Sequence, residues 1–453
     1  MTRIAIAIDA PQYAGMSSLL TYESERPLAP GTLARVPLGR REVTGMVWDA
    51  DFAALDAAEL ADVQDPQSVA SRPALVLRPV TEALDALAPM SADWRALVAF
   101  TARYYQRSLG EVALAVLPPE LRKLDNTALA KRVKKKREHL LPDAVDGSAQ
   151  RPPLTDEQAS AMATLSAWAA APAPPPTLLF GVTGSGKTEV YLRLAEQALL
   201  AGKQALVLVP EINLTPQLEQ RFAARFPGRR LVSLHSALTP AQRLQHWLSA
   251  HLGEADLVLG TRLAVFASLP RLGLIVVDEE HDPSYKQQER ARYSARDLAV
   301  YRGKLEGACV VLGSATPSIE SWQRAEQGRY VRLTMGQRIG GGALPAVRLV
   351  DMNLLPKIKG ISTALSPQLV AALGARLERG EQSMLFLNRR GYAPVLHCGE
   401  CGWKSGCPNC SAFRVFHRVD RTLRCHHCSL TQPVPRACPD CGNLDIAPIG
   451  RGT

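Results

Sequence analysis

No uninterrupted apolar run in this 453-residue chain approaches the ~18 residues needed to cross a bilayer, so no membrane span is expected. A secretory leader is also missing: the apolar start Ile4 to Ile8 is short and stops at Asp9. No repeat of ~20–50 residues occurs outside one cysteine-rich stretch, which argues against solenoids and propellers. Cysteine is scarce, 9 in all, and eight of them fall in Cys-x-x-Cys pairs. That pattern points to metal rather than disulfides and fits a reducing cytoplasm. Negative charge is in short supply too. Against 53 Lys plus Arg stand 43 Asp plus Glu, net +10, which suits an anionic partner such as nucleic acid. The apolar share, 46%, suffices for globular cores, and the length fits about three domains.

The pattern along the chain predicts an α/β protein. Residues 1–90 read as β-rich: Arg3 to Ile8 alternates, and Thr32 to Val36 and Val43 to Trp48 resemble strands. Residues 91–150 read as helical, with Ala92 to Gln106 and Gly110 to Leu117 as helices, then the basic run Lys131 to Arg137. From 151 to 335, a helix from Asp156 leads into apolar strands alternating with helices, the signature of a mainly parallel sheet covered on both faces. Residues 336–397 open a second lobe, with a helix over Ser366 to Glu378 and a strand over Ser383 to Leu387. Residues 398–441 form a cysteine region, and 442–453 return to the second lobe.

The segment Gly181, Val182, Thr183, Gly184, Ser185, Gly186, Lys187, Thr188 fits the phosphate-loop pattern G-x-x-x-x-G-K-[ST] without a mismatch. Small residues let backbone N–H groups close around a polyphosphate. Lys187 supplies a charge to the β/γ-phosphates of ATP, and Thr188 a hydroxyl for Mg²⁺. An apolar run precedes the loop and a helix follows it, placing it on a helix N-terminus. Downstream, Leu274 to Val277 runs into Asp278, Glu279, Glu280 and His281. Carboxylates at a strand's C-terminal end sit on the same sheet edge as the phosphate loop. Asp278 is the expected Mg²⁺-side acid, and Glu279 the expected group that orients or deprotonates the attacking water. Ser314, Ala315 and Thr316 follow another apolar strand; their hydroxyls could bond His281 and relay the nucleotide state.

Cys398, Cys401, Cys407, Cys410, Cys425, Cys428, Cys438 and Cys441 make four Cys-x-x-Cys hairpins. Two hairpins complete one tetrahedral Cys₄ site, so eight thiols predict two Zn²⁺, both structural because no coordination position stays open. Four hairpins pair in three ways, and spacing does not choose among them.

The phosphate loop, DEEH at 278–281 and SAT at 314–316 resemble those of superfamily 2 helicases. Longer stretches are similar to the replication-restart helicases of the primosomal protein N′ (PriA) family: GVTGSGKTEVY (181–191), VPEINLTPQ (209–217), LGTRLAVF (259–266), VVDEEHDPSYKQQE (276–289), LGSATPSIES (312–321) and FLNRRGYAP (386–394). The resemblance implies a β-rich domain for a 3′ DNA end, a RecA-like ATP-binding lobe and a second lobe interrupted by a two-zinc insertion. It implies an ATP-driven 3′→5′ DNA helicase, a monomer, that binds forks and single strands and meets other primosome and single-strand-binding proteins. Non-enzymatic DNA and partner binding by a helicase fragment is the alternative. Gln158 takes the place of the family's adenine-side Gln; Thr215, Thr261 and Arg262 fall in single-strand-contacting segments; Gly39 and Arg40 lie in a DNA-end turn. For zinc, the family implies a nested pairing, Cys398, Cys401, Cys438 and Cys441 at one site and Cys407, Cys410, Cys425 and Cys428 at the other.

Four departures carry expectations of their own. Leu20-Thr21-Tyr22 replaces a Phe-Asp-Tyr triplet, so 3′-end recognition is weaker or differently built. Ala291 stands where the family tends to carry Trp in a base-sensing loop, which predicts weaker coupling of DNA to ATP turnover. Only a short stretch between Pro118 and Pro153 is left for a winged helix, so that module is abbreviated. The chain reaches Thr453 before any arginine motif of the G-R-x-G-R type, a group that contributes ~10³–10⁵ in rate in related NTPases. A truncated product that binds ATP and DNA but hydrolyses and unwinds poorly alone is the expectation.

Overall fold

The computed structural model describes residues 1–9, 19–50, 77–137, 151–169, 171–210, 215–340, 346–351, 365–386, 395–409, 413–417, 420–425 and 428–449. It divides into two units, Met1–Ala343 and Leu344–Thr453.

The first unit begins with β1 (Thr2–Ala7), β2 (Leu19–Ser24), β3 (Leu33–Leu38), β4 (Arg41–Trp48) and the short β5 (Glu82–Ala83), an antiparallel sheet in the order β2-β1-β4-β3-β5. Period-two alternation sorts its side chains. Ile4, Ile6, Ala34, Val36 and Val47 share one small core, while Leu33 and Met46 face the other way into the large core. Gly39 and Arg40 form the two-residue turn between β3 and β4; Gly39 has φ +61° and Arg40 is exposed, as the sequence suggested. Tyr22 lies inside β2, buried, with its hydroxyl donating to the Pro37 carbonyl at 3.1 Å.

Helices α1 (Ala92–Tyr104), α2 (Leu109–Ala115) and α3 (Asn126–Arg137) follow. Ser91 caps α1 by accepting from the Trp94 N–H, and Trp94, Leu97, Val98 and Thr101 form its buried stripe. Trp94 Nε1 donates to the Phe266 carbonyl at 2.8 Å, and Phe100 stacks on Tyr301 at 3.9 Å, fixing this region against the next. The basic run continues the end of α3.

The remaining elements of this unit are α4 (Asp156–Ala169), β6 (Thr177–Gly181), α5 (Lys187–Leu200), β7 (Gln204–Leu208), α6 (Thr215–Arg225), β8 (Leu231–Leu234), α7 (Pro240–His251), β9 (Leu257–Gly260), β10 (Leu272–Val277), α8 (Ala295–Glu306), β11 (Cys309–Ser314), α9 (Ile319–Glu326) and β12 (Val331–Met335). The seven strands form one sheet in the order β12-β6-β11-β10-β7-β9-β8, and every neighbouring pair is parallel. Both faces are covered, which is why the strands read as near-continuous apolar runs. Leu206, Leu208, Ile275 and Val277 enter one core; Ala205, Val207, Leu274 and Val276 enter the other.

In the second unit are α10 (Pro367–Glu378), β13 (Val395–Cys398), β14 (Val415–His417), β15 (Thr422–Arg424), β16 (Thr431–Pro433) and β17 (Ile446–Ile449). β13 pairs antiparallel with β17, and β14, β15 and β16 make a small meander. The helix expected from Ser366 is present, with Ser366 as its cap, but it buries none of its residues. Ser383 to Phe386 is not a strand; Met384 and Phe386 are exposed. An apolar run becomes a strand only when a neighbour takes its N–H and C=O groups, and among the described residues no neighbour does so here. Leu387, the last residue of that expected strand, lies outside the described residues.

Candidate nucleotide and nucleic-acid site

Strand order decides what meets at the sheet's C-terminal edge. β6, β11 and β10 are adjacent, so the phosphate loop, the Ser314–Thr316 turn and the Asp278–His281 acids lie side by side. β7, β9 and β8 complete the edge and carry Pro210, Thr261 and His235 just beyond their ends.

The loop after β6 depends on two glycines in the left-handed region, Gly184 (φ +84°) and Gly186 (φ +82°), the latter capping α5. Lys187 Nζ folds back to donate to the Gly181 carbonyl at 2.8 Å. Gln158 is 1% exposed. It closes a capping box with Thr155, accepting from the Thr155 N–H at 3.0 Å while its own N–H donates to Thr155 Oγ1. Its Nε2 donates to the Ser185 carbonyl at 3.1 Å and to that of Gly186 at 3.4 Å. The side chain expected beside adenine thus braces the loop from behind. The segment after β12, which the sequence reading missed, holds the loop as well: Val182 N–H donates to Met335 O at 3.0 Å, and Ile339 N–H to Gly184 O at 2.9 Å.

At the end of β10, Asp278 Oδ1 accepts from the Tyr191 hydroxyl at 3.1 Å. Burial pushes the Asp278 carboxyl up, and the Glu279 charge adds to this, so the position favours a cation that would restore the ionised form. Tyr191 can reach Asp278 because residue 313 is glycine; a Cβ there would overlap the Tyr191 hydroxyl. Glu279 has φ +45°, a conformation that costs a non-glycine residue roughly 1–3 kcal/mol. Its Oε2 lies 3.6 Å from His281 Nδ1. That nitrogen also lies 2.8 Å from Ser314 Oγ, and His281 Nε2 lies 3.4 Å from Thr316 Oγ1. The expected His281–Ser314–Thr316 grouping is therefore assembled.

Sequence reasoning passed over Glu280, which is 1% exposed. Its carboxylate accepts from Ser318 N–H at 2.7 Å, Ser318 Oγ at 3.0 Å, Ser321 Oγ at 2.7 Å and Arg296 Nη1 at 3.3 Å. It ties the acidic turn to the start of α9. The signal was available: a third consecutive acid after a buried strand points inward and needs donors.

Tyr285 lies in the loop that also carries Ala291. It is buried, and its hydroxyl lies 2.6 Å from the Asp278 carbonyl and 3.0 Å from that of Leu208, bridging the ends of β10 and β7. Tyr293 is also buried, packed edge-on against Phe266. Ala291 is 8% exposed. No aromatic face in this loop is free for a base. Arg262 Nη1 donates to the carbonyls of Ser284 at 2.9 Å and Lys286 at 3.1 Å. Thr261 precedes the short 3₁₀ turn Arg262–Phe266, its N–H donating to Leu234 O at 3.1 Å. Thr215 begins α6, and its side chain lies outside the described residues. Cys309 is buried in β11, its thiol pushed up to about 11 by burial.

In the second unit, Cys398, Cys401, Cys438 and Cys441 converge, as do Cys407, Cys425 and Cys428, with Cys410 outside the described residues. This is the nested pairing. Sγ–Sγ distances of 3.6 Å (Cys398–Cys441), 3.5 Å (Cys401–Cys438) and 3.4 Å (Cys407–Cys428) come close to the ~3.8 Å edge of a tetrahedron with Zn–S bonds of about 2.3 Å. The four-thiol group therefore fits zinc. Gly402 and Gly442, just after the second thiol of their hairpins, have φ +78° and +75°. Ser429 adopts φ +61° at the same place after Cys428.

Three family comparisons match separate parts of the chain. The DEAD/DEAH box helicase family matches residues 156–325, the PriA 3′ DNA-binding domain matches 5–118, and the PriA DNA helicase Cys-rich region domain matches 407–433. Among curated proteins named Replication restart protein PriA, that of Haemophilus influenzae is 48% identical over 61% of this chain and 37% of its own length. The Bacillus subtilis protein is 42% identical over 66% of this chain and 37% of its own. The Rickettsia felis protein is 36% identical over 91% of this chain and 58% of its own. The chain thus spans less than two thirds of the length of these relatives.

Proposed function

The chain belongs to the PriA family of replication restart proteins, and on that premise we propose that it is an ATP-dependent 3′→5′ DNA helicase acting at stalled forks in the cytoplasm. One observation carries the reading. A single strand edge divides into a phosphate half on β6, β11 and β10 and a second half on β7, β9 and β8, joined by the Tyr285 hydroxyl.

In the phosphate half, Lys187 exchanges the Gly181 carbonyl for the β/γ-phosphates, and the loop N–H groups hold the remaining charge. Thr188 and Asp278 are the groups that would hold Mg²⁺, whose chemistry when bound is to neutralise charge on those phosphates. Glu279 orients the attacking water and takes its proton, and the left-handed backbone at this residue sets its direction. His281 lies between Glu279 and the Ser314 and Thr316 hydroxyls, so a change at the γ-phosphate reaches the turn after β11. In the other half, Thr215, Thr261 and Arg262 take the single-strand backbone through contacts that read no sequence. Gly39 and Arg40 present positive charge to a 3′ DNA end. Two Zn²⁺ ions would hold the cysteine hairpins in shape. The protein acts as a monomer alongside other primosome and single-strand-binding proteins.

The deciding experiment is DNA-stimulated ATP hydrolysis by the purified chain, with Lys187→Ala as the control. Turnover that rises with single-stranded DNA and vanishes in Lys187→Ala supports the reading. A chain with no affinity for ATP and Mg²⁺ overturns it, while ATP binding without turnover favours the DNA- and partner-binding alternative.

A further inference from the structure

Both left-handed glycines of the phosphate loop are covered by a second segment, residues 336–340 just past β12. Its backbone is pinned to the loop. Met335 O accepts from the Val182 N–H at 3.0 Å, and the Ile339 N–H donates to Gly184 O at 2.9 Å. Between these two bonds along the chain, the Gln337 N–H donates to Glu157 Oε2 at 3.0 Å. At Gly186, Ile339 Cδ1 lies 2.4 Å from where a Cβ would stand, so that side chain takes room only glycine leaves. At Gly184 the same space holds nothing nearer than Arg338 Cγ, at 3.9 Å. Arg338 is therefore the side chain that this segment lays beside the middle of the loop.

Arg338 carries a charge that no protein group answers. Among the described residues, no hydrogen bond or ion pair ends on its guanidinium. Glu157, the acid beside this segment, gives its Oε2 to the Gln337 N–H instead. The side chain is half-buried, with Nε shut off from water, so its stem lies against the protein rather than reaching into solvent. In a loop of this pattern the backbone N–H groups cradle the α- and β-phosphates, while the lysine reaches the β- and γ-phosphates. A guanidinium beside Gly184 is placed for the α/β part. Its planar fork of donors matches phosphate oxygens, which a lysine ammonium meets only as a point charge. We propose that Arg338 binds the α- and β-phosphates of the nucleotide, adding from the first unit itself to the charge that the loop and Lys187 supply. The proposal rests on the reading of that loop as the ATP site. It adds that the diphosphate product gains as much from this arginine as ATP does, because both carry the two phosphates it contacts.

The test uses the full chain with Mg²⁺ and no DNA. Fluorescent analogues of ADP and ATP are titrated against the parent, Arg338→Gln and Arg338→Lys. Arg338→Gln should weaken both nucleotides about tenfold and by the same factor, with Arg338→Lys falling between it and the parent. Affinities of Arg338→Gln within about twofold of the parent, or a loss confined to ATP, overturn the proposal. A second measurement needs no variant and decides the matter even if both substitutions fail to fold. The parent is labelled with phenylglyoxal, and Arg338 is followed by peptide mass spectrometry. ADP and inorganic pyrophosphate should each slow its labelling severalfold, and adenosine should leave it unchanged. Labelling that ADP does not slow, or protection by adenosine as strong as by ADP, overturns the proposal while the ATP site stands. A parent with no affinity for either nucleotide sinks the reading of the phosphate loop, and this proposal with it.

Discussion

Truncating Glu280 to alanine removes a carboxylate that joins the acidic turn after β10 to the start of α9. Four donors lose their acceptor: the Ser318 N–H and hydroxyl, the Ser321 hydroxyl and the Arg296 guanidinium. Removing one partner of a buried ion pair costs about 3–5 kcal/mol. Arg296 keeps Asp297 at 3.1 Å, and the serine hydroxyls can turn, so the lower end applies, about 3 kcal/mol. At about 1.4 °C per kcal/mol for a unit that runs from Met1 to Ala343, its melting temperature should fall by roughly 4 °C. Glu280→Gln keeps the shape and one acceptor, and should lose less than half as much. Circular dichroism and scanning fluorimetry read the melt. Fluorescent-ATP titration supplies a second readout, because Glu280 lies outside the phosphate loop: affinity should stay within about threefold while DNA-stimulated turnover drops. If Glu280→Ala melts within about 2 °C of the parent, the buried carboxylate is not the tie described here.

Three further outcomes follow from the geometry. His251 is buried, with Nε2 donating to Ala88 O at 2.9 Å and Nδ1 accepting from Ser268 Oγ at 2.8 Å, and burial pulls its pKa down to about 4. The folded value lies below the ordinary 6.5, so its contribution is fully present above pH 6.5 and is lost as pH falls towards 4. About 2–3 kcal/mol should disappear between pH 7.5 and 4.5, and urea melts of His251→Gln should show a correspondingly smaller acid loss. Gly313→Ala places a methyl group on the Tyr191 hydroxyl and should destabilise by about 1–3 kcal/mol. Adding Tyr191→Phe should recover part of that; purely additive losses would dismiss the clash. For the cysteine hairpins, the purified chain should carry two zinc ions per molecule by elemental analysis. Cys398→Ser with Cys441→Ser should lose one of them, and Cys398→Ser with Cys425→Ser should lose both. Equal losses from the two pairs would contradict the nested assignment.

Much of the site was legible because its chemistry is local. Gly184 and Gly186 need a left-handed backbone, Lys187 needs its place at a helix start, and eight thiols need hairpins; each requirement is written within a few residues. The strands around them were legible because burial on both faces forces apolar runs. Gln158 shows where local reading stops. Its position at a helix start was clear, yet its amide partners are carbonyls 27 and 28 residues away. Nothing in the spacing of Tyr285 and Tyr293 says that both are buried; packing decides that. The strand expected at Ser383 failed for a related reason: an apolar run states a wish for a partner and cannot supply one.

By itself the sequence determined which residues can grip phosphate, which can hold metal and in what order they come along the chain. Only the tertiary structure decided which of them meet. Parallel strand order set the phosphate loop beside the acids and left β7, β9 and β8 for the other half of the edge. Convergence of distant hairpins picked one pairing of thiols from three. Asp278, Tyr191 and Gly313 form a working group only because β10, α5 and β11 pack together. The physical reason is that spacing fixes backbone conformation over a turn or two, whereas contact between remote segments is set by which buried surfaces fit.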